Sequence, residues 1–339
     1  MQRYNYATID NPGATSTESV AINLFGSTVG YYDGSDLLNT GFLYSDGRLT
    51  PVLLAGATTS QALGINLAGV IVGSYSTDSG VFGFIDNHGH YTTLSDPNGV
   101  VTSATGINAF DTVIGDYGAT TGFSAAFVYD RDTYTTIAID GAHNTYATGI
   151  SDFGIVAGYA NTSSGGEVAF TYDHGTYTLI APPGGEVSAS TVAINDRGQL
   201  LGSYRTDAGS MGFIYDNGHY TPIAAPNAGE TTATALNDLG AIVGTYTSGG
   251  SEHGFVDING TFSNVDVPCA SQTTPLAIND LGQIAGLYTD STGTQGFLAT
   301  PQGLGVWSLA SGGRRSEQGA GCAHTGSGPI VCRFGRCDP

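Results

Sequence analysis

One signature recurs seven times along this 339-residue chain: a small residue, Ile or Leu, then Asn or Ser, followed by a turn and an apolar-Gly run that in six of the seven continues x-Tyr. Its third residue falls at Asn23, Asn66, Asn108, Ser151, Asn195, Asn237 and Asn279, so the spacing is 42 to 44 residues throughout. A unit of this length built from short strands cannot bury its apolar face alone. It must stack on copies of itself, which makes the chain a propeller or an array.

The unit that ends at Leu94 shows the parts. Ala62 to Asn66 is small and apolar, Val70 to Ser76 and Phe82 to Asp86 are apolar strands, and Tyr91 to Leu94 is a Thr-rich fourth. Runs of this length, rich in β-branched and aromatic residues and bounded by Gly, Asn or Asp, read as strands. Between first and second strands stand turns such as Asn195-Asp196-Arg197-Gly198 and Asn237-Asp238-Leu239-Gly240. Asn and Asp bond back to local backbone there, and Gly supplies the positive φ. Between third and fourth strands stand Asp46-Gly47, His88-Gly89, His174-Gly175, Asn217-Gly218 and Asn259-Gly260, which suit two-residue type I′ hairpins. Every unit opens its third strand with a phenylalanine (Phe42, Phe84, Phe127, Phe170, Phe213, Phe255, Phe297), and six carry the second-strand Tyr, with Ala160 in the seventh place. Aromatics at this even spacing read as packing between neighbouring units. Pro51 and Pro222 place the fourth strand at the outer edge.

The last unit has three strands and then Pro301-Gln302-Gly303. Its missing strand matches the other end of the chain, where Tyr6-Ala7-Thr8-Ile9 aligns with Tyr91-Thr92-Thr93-Leu94. The expectation is an all-β, seven-bladed β-propeller of four-stranded antiparallel blades, residues 1–303, with the N-terminal strand closing the last blade and removing open sheet edges. Residues 304–339 read as an irregular tail whose Cys322, Cys332 and Cys337 match no zinc-site spacing. Cys269 reads as a half-buried loop thiol.

Composition narrows the partners. The net charge is −20 with no lysine, a surface that repels nucleic acid and anionic membranes. Cations, neutral sugars and uncharged small molecules remain, and the expectation is a monomer. No apolar run is long enough to cross a membrane as a helix, and no signal peptide opens the chain.

The run Ala193-Ile194-Asn195-Asp196-Arg197-Gly198-Gln199, continued by Gly212-Phe213-Ile214-Tyr215-Asp216-Asn217-Gly218, resembles the bacterial HAF-repeat proteins. The family's His-Ala-Phe step has its nearest forms here in His253-Gly254-Phe255, Ala126-Phe127 and Ala169-Phe170. The resemblance spans about 300 residues and implies an extracellular or periplasmic protein. The tail lacks the Pro-Glu-Pro of the sorting segment common in that family. No catalytic residue carries over.

Departures from the template are the candidates for a site. Five positions before each anchor stand Glu18, Gln61, Ser103, Tyr146, Ser190, Thr232 and Thr274, of which Glu18, Gln61 and Tyr146 stand out, and nearby loops add His143, Glu186 and Glu230. These six are the candidate ligand-binding residues, at the mouth of a central channel. The leading expectation is a secreted, non-catalytic propeller that binds a carbohydrate or other extracellular ligand. Carboxylate, imidazole and amide groups of this kind also suit a divalent cation such as Ca²⁺, which would polarise an ester, lactone or phosphotriester for hydrolysis. The cofactor is unknown from sequence, and binding and metal-dependent hydrolysis stand as alternatives. Binding leads because the loops are short and nearly equal. Asp116 reads as either an interface hydrogen bonder or an inner acid. Asp78, Asp207 and Asp290 read as turn-formers, and His88, His90, His174 and His219 as exposed turn residues on the opposite face.

Overall fold

The computed structural model describes residues 2–34, 38–119, 122–163, 165–181, 189–206, 209–226 and 228–302. Every regular element among them is a strand. Strand β1 is Tyr4–Ile9, and the first four-stranded unit follows as β2 (Ser16–Ile22), β3 (Thr28–Asp33), β4 (Asn39–Ser45) and β5 (Arg48–Val52). The second is β6 (Thr59–Ile65), β7 (Ile71–Thr77), β8 (Gly80–Asn87) and β9 (His90–Leu94). Next come β10 (Gly99–Ile107), β11 (Val113–Ala119), β12 (Ser124–Asp130) and β13 (Thr133–Ile137). The fourth unit holds β14 (Ala142–Ile150), β15 (Val156–Thr162), β16 (Glu167–Asp173) and β17 (Thr176–Ile180). The fifth is β18 (Ala189–Ile194), β19 (Leu200–Thr206), β20 (Gly209–Asp216) and β21 (His219–Ile223). Then stand β22 (Thr231–Leu236), β23 (Ile242–Ser248), β24 (Ser251–Ile258) and β25 (Thr261–Asn264). The chain ends its described part with β26 (Gln272–Ile278), β27 (Ile284–Asp290) and β28 (Gly293–Pro301).

Consecutive strands of a unit pair antiparallel, as in β6–β7, β7–β8 and β8–β9. β1 pairs antiparallel with β28, setting Tyr6 opposite Ala299 and Thr8 opposite Phe297. First strands begin earlier than the apolar run alone predicts: β6 starts at Thr59, because Ser60 points into the core and accepts the Gly41 N–H at 3.0 Å. A related hydroxyl contact recurs where Thr102, Thr145, Thr231 and Thr273 accept backbone N–H groups of the connection that follows the preceding fourth strand, at 3.0 to 3.2 Å.

Three packing demands explain the repeated residues. The second-strand Gly is required because a Cβ at Gly115 or Gly158 would lie 2.6–2.9 Å from the ring of Phe127 or Phe170 and closer still to a first-strand carbonyl. The seven phenylalanines are accordingly buried almost completely. Each first strand carries a bulge just before its anchor, for example between Ala62 and Gly64 or Ala147 and Gly149. There the first strands of adjacent units nearly touch: a Cβ on Gly64 would come within 3.3 Å of the Gly106 Cα. Hence the small residue at that step.

The anchor asparagines do more than make turns. In each turn the Oδ1 accepts local amides, as Asn237 Oδ1 does from Leu239 N at 3.1 Å and Ala241 N at 2.8 Å. The Nδ2 donates to the anchor carbonyl of the next unit: Asn23 to Asn66, Asn66 to Asn108, and Asn108 to Ser151, at 3.1 to 3.2 Å. The relay continues from Asn195 to Asn237 and from Asn237 to Asn279, and Asn279 donates back to Asn23 at 2.9 Å. Ser151 is too short to donate onward. Its junction is carried instead by the Asp152 N–H on Asp196 Oδ1 at 2.6 Å.

The predicted tail with Cys322, Cys332 and Cys337 lies outside the described residues, as do Glu186 and Asp207. Cys269 is not the half-buried thiol expected: it is exposed, sits at φ 69° and is disulfide-bonded. His88, His90, His174 and His219 are exposed, as expected. Asp290 forms its turn by accepting the Thr292 N–H at 2.7 Å.

Asn237→Ala removes both halves of one relay step and leaves buried amides without an acceptor. It is expected to lower unfolding free energy by about 2–4 kcal/mol, measured by urea denaturation. Asn237→Ser keeps a local acceptor, as Ser151 does, and is expected to cost less. An Ala variant as stable as the parent contradicts the relay.

Candidate functional site

Because strands alternate in direction, the second-to-third and fourth-to-first connections share one face. On that face two adjoining hollows lie, one within the fourth unit and one where the third and fourth units meet. One cleft of about 410 Å³ is lined by His143 and Asn144 at the start of β14, Asn161 and Thr162 at the end of β15, and Glu167 opening β16. A second, of about 250 Å³, is more apolar and is lined by Tyr117, Phe123, Ile139 and again His143.

Local chemistry holds these groups in place. Asn144 Oδ1 accepts the Ser124 N–H at 2.8 Å, tying β14 to the start of β12. The Thr162 hydroxyl donates to Gly166 O at 3.0 Å and accepts the Gly166 N–H at 3.1 Å, which fixes the β15–β16 turn. Phe123, half exposed, meets the His143 ring edge-on at 5.4 Å. Asn161 sits opposite Glu167 in the β15–β16 register, and its Oδ1 is buried with no hydrogen-bond donor on it. A buried acceptor of this kind is costly unless something fills it.

Inward from the cleft the groups become more buried. The Tyr146 and Tyr159 rings lie 5.2 Å apart. Burial raises the Tyr159 pKa, and the charges of Glu167, Tyr146 and Asp116 raise it further. Asp116 accepts the Ala147 N–H at 3.0 Å, so it is the interface hydrogen bonder and an inner acid at once. Burial pushes its pKa up to about 7, against the lowering effect of that bond.

Of the six residues singled out by sequence, His143 lines the cleft and Tyr146 lies just inside it. Glu18, on β2, accepts the Tyr31 hydroxyl at 2.7 Å; burial first, then this carboxylate, raise the Tyr31 pKa. Gln61 is on β6 opposite Ser74, a unit away. Glu230 is exposed before β22, its backbone bonded to Thr247. Glu186 lies outside the described residues. Sequence reasoning missed Phe123, Asn144, Asn161 and Glu167. The available signal was that the departures at the anchor and at the second-strand Tyr position, Ser151 and Ala160, both fall in the fourth unit.

The donor set does not fit the cation considered from sequence. Among the described residues no three His, Cys, Asp or Glu side chains converge, and Glu18 and His143 belong to different units. No hydrolytic step through a metal is therefore derived. Among the described residues no helix is long and apolar enough to cross a membrane.

No protein-family model matches the chain, and no curated protein matches it. Solved structures do. A lectin from Burkholderia pseudomallei is similar at a TM-score of 0.53 and 10% identity, covering 86% of this chain and 97% of the lectin. YCF48 bound to D1 peptide is similar at 0.56 and 11% identity, covering 89% and 96%. A puromycin-hydrolyzing peptidase from Mycobacterium tuberculosis is similar at 0.54 and 11% identity, covering 84% of this chain and about half (52%) of that one. At these identities the likeness concerns the fold alone, which is of β-propeller type. A shared fold leaves function to the site.

A carboxyl whose pKa rises on folding favours the fold when protonated. The Asp116 contribution is therefore complete below about pH 4 and is lost as pH climbs to about 7, by up to about 4 kcal/mol. Asp116→Asn keeps an oxygen for the Ala147 N–H and removes the titration. It is expected to raise the urea midpoint at pH 8 and to flatten the dependence between pH 4 and 7. An unchanged pH profile contradicts this placement of Asp116.

Proposed function

We propose that the chain is a seven-bladed β-propeller that binds neutral carbohydrate in the polar cleft of its fourth blade, beside the junction with the third. Seven four-stranded units, the return of the relay from Asn279 to Asn23 and the pairing of β1 with β28 support the closed ring. The observation that carries the binding assignment is the unpartnered Asn161 Oδ1, buried in a polar cleft that adjoins the exposed Phe123 face.

A sugar presents hydroxyls around its edge and C–H groups on its faces. Asn144, Asn161, Glu167 and His143 offer amide, carboxylate and imidazole partners for the hydroxyls, and Phe123 offers apolar surface for the C–H face. The hydroxyl that donates to Asn161 Oδ1 relieves the cost of leaving it unpaired. With a net charge of −20 the chain repels polyanions, so neutral sugars are favoured. A lectin shares the fold. We set this binding outside the cytoplasm, a reading that rests on the resemblance to the HAF-repeat proteins.

Screening on a glycan array, followed by calorimetry on the best neutral oligosaccharide, is the test. Asn161→Ala and Phe123→Ala are each expected to weaken binding by about tenfold or more, roughly 1.4 kcal/mol, with thermal unfolding unchanged. Absence of binding to every neutral glycan, or full affinity in both variants, overturns the assignment.

A further inference from the structure

The face opposite the cleft carries a feature that neither turn chemistry nor sugar binding uses. In the first-to-second turns, the residue two after the anchor is Phe25, Phe110, Phe153, Leu239 or Leu281 in five units. Their exposures are 76%, 73%, 70%, 64% and 53%. Leu24 and Leu67, one step after their anchors, are exposed as well. Seven of the sixteen large exposed hydrophobic residues among those described thus lie on these turns.

They form one crown, because hydrogen bonds chain the turns side by side. Besides the asparagine relay, Asp152 Oδ1 accepts Ala109 N, Asp196 accepts Asp152 N, Asp238 accepts Asp196 N and Asp280 accepts Asp238 N, at 2.6 to 2.9 Å. Gln283 of the last unit reaches the Gly26 turn of the first. Turn geometry asks for Gly, Asn or Asp and has no use for a solvated phenylalanine. A contiguous apolar patch on a soluble surface marks an interaction site.

We propose that this crown docks a polypeptide segment that carries both basic and apolar side chains. The apolar half of that description follows from the crown itself. The basic half follows from the carboxylates of Asp152, Asp196, Asp238 and Asp280, partly exposed and one residue from the crown positions, with Arg197 the one cation standing at a crown position. A second copy presenting the same face would set one acidic arc against another. Anionic lipid is repelled for the same reason.

The test is fluorescence anisotropy with a labelled synthetic peptide of alternating leucine and arginine, against a glycine–arginine peptide of equal length and charge. The full chain is expected to bind the first probe more tightly. The triple variant Phe25→Ser, Phe110→Ser, Phe153→Ser is expected to bind it about tenfold more weakly or worse, with its thermal unfolding unchanged. Should that variant misfold, Leu239→Ser with Leu281→Ser reads the same quantity. Equal affinity for the two probes, or wild-type affinity in the folded variants, overturns the proposal. So does a dimer in sedimentation, or vesicle binding, that the same substitutions abolish, since the crown's occupant is then a second copy or a lipid surface.

Discussion

Everything in this fold leans on an asparagine that works in two directions. Its side-chain oxygen collects the amides of its own turn, and its amide nitrogen reaches the carbonyl of the next turn. An isolated four-stranded unit has a satisfied turn but an apolar face with nothing on it. The outward bond makes each turn a template for its neighbour, and because the anchor side chains are buried, leaving them unpaired would be costly. Where serine stands at the anchor, the bond from the Asp152 N–H to the Asp196 carboxylate, a kind that accompanies the relay at three other junctions, carries the link alone. The requirement is for the connection, and two chemistries meet it.

That inner relay sets the spacing to which the outer layers conform. With turns held at hydrogen-bonding distance, first strands converge, and the residue that closes each bulge is Ala or Gly. Farther out the units diverge and larger groups fill the widening gap: first the phenylalanine over its glycine, then the tyrosines, as in the Tyr75–Phe84 and Tyr204–Phe213 edge contacts. The repeat's consensus is therefore a radial size gradient written along the sequence.

This explains what could be read from the chain and what could not. The gradient repeats, so periodicity exposed the units, both turn types, the buried phenylalanines and the partner of Tyr6–Ile9. A site does not repeat. Phe123, Asn144, Asn161 and Glu167 come from four places in two units, and their meeting depends on how the Ser124 N–H caps Asn144 and how Thr162 closes its turn. Equivalent positions such as Glu18, Gln61 and Tyr146 looked like one group because they share a template column. They stand on three different units, and each answers first to its own cross-strand neighbour. The apolar crown was hidden for the opposite reason: its residues occupy turns whose Asn, Asp and Gly already explained the local structure.

Ring closure is the claim on which the rest stands, and hydrogen–deuterium exchange across residues 2–12 tests it most directly. With β1 paired to β28, the amides of Asn5 and Ala7, which face β28 in this register, exchange as slowly as those of interior strands such as β7, and protection is lost in the same transition. Fast exchange of this segment while the other units stay protected would mean that the ends do not meet, and the circular account would be wrong.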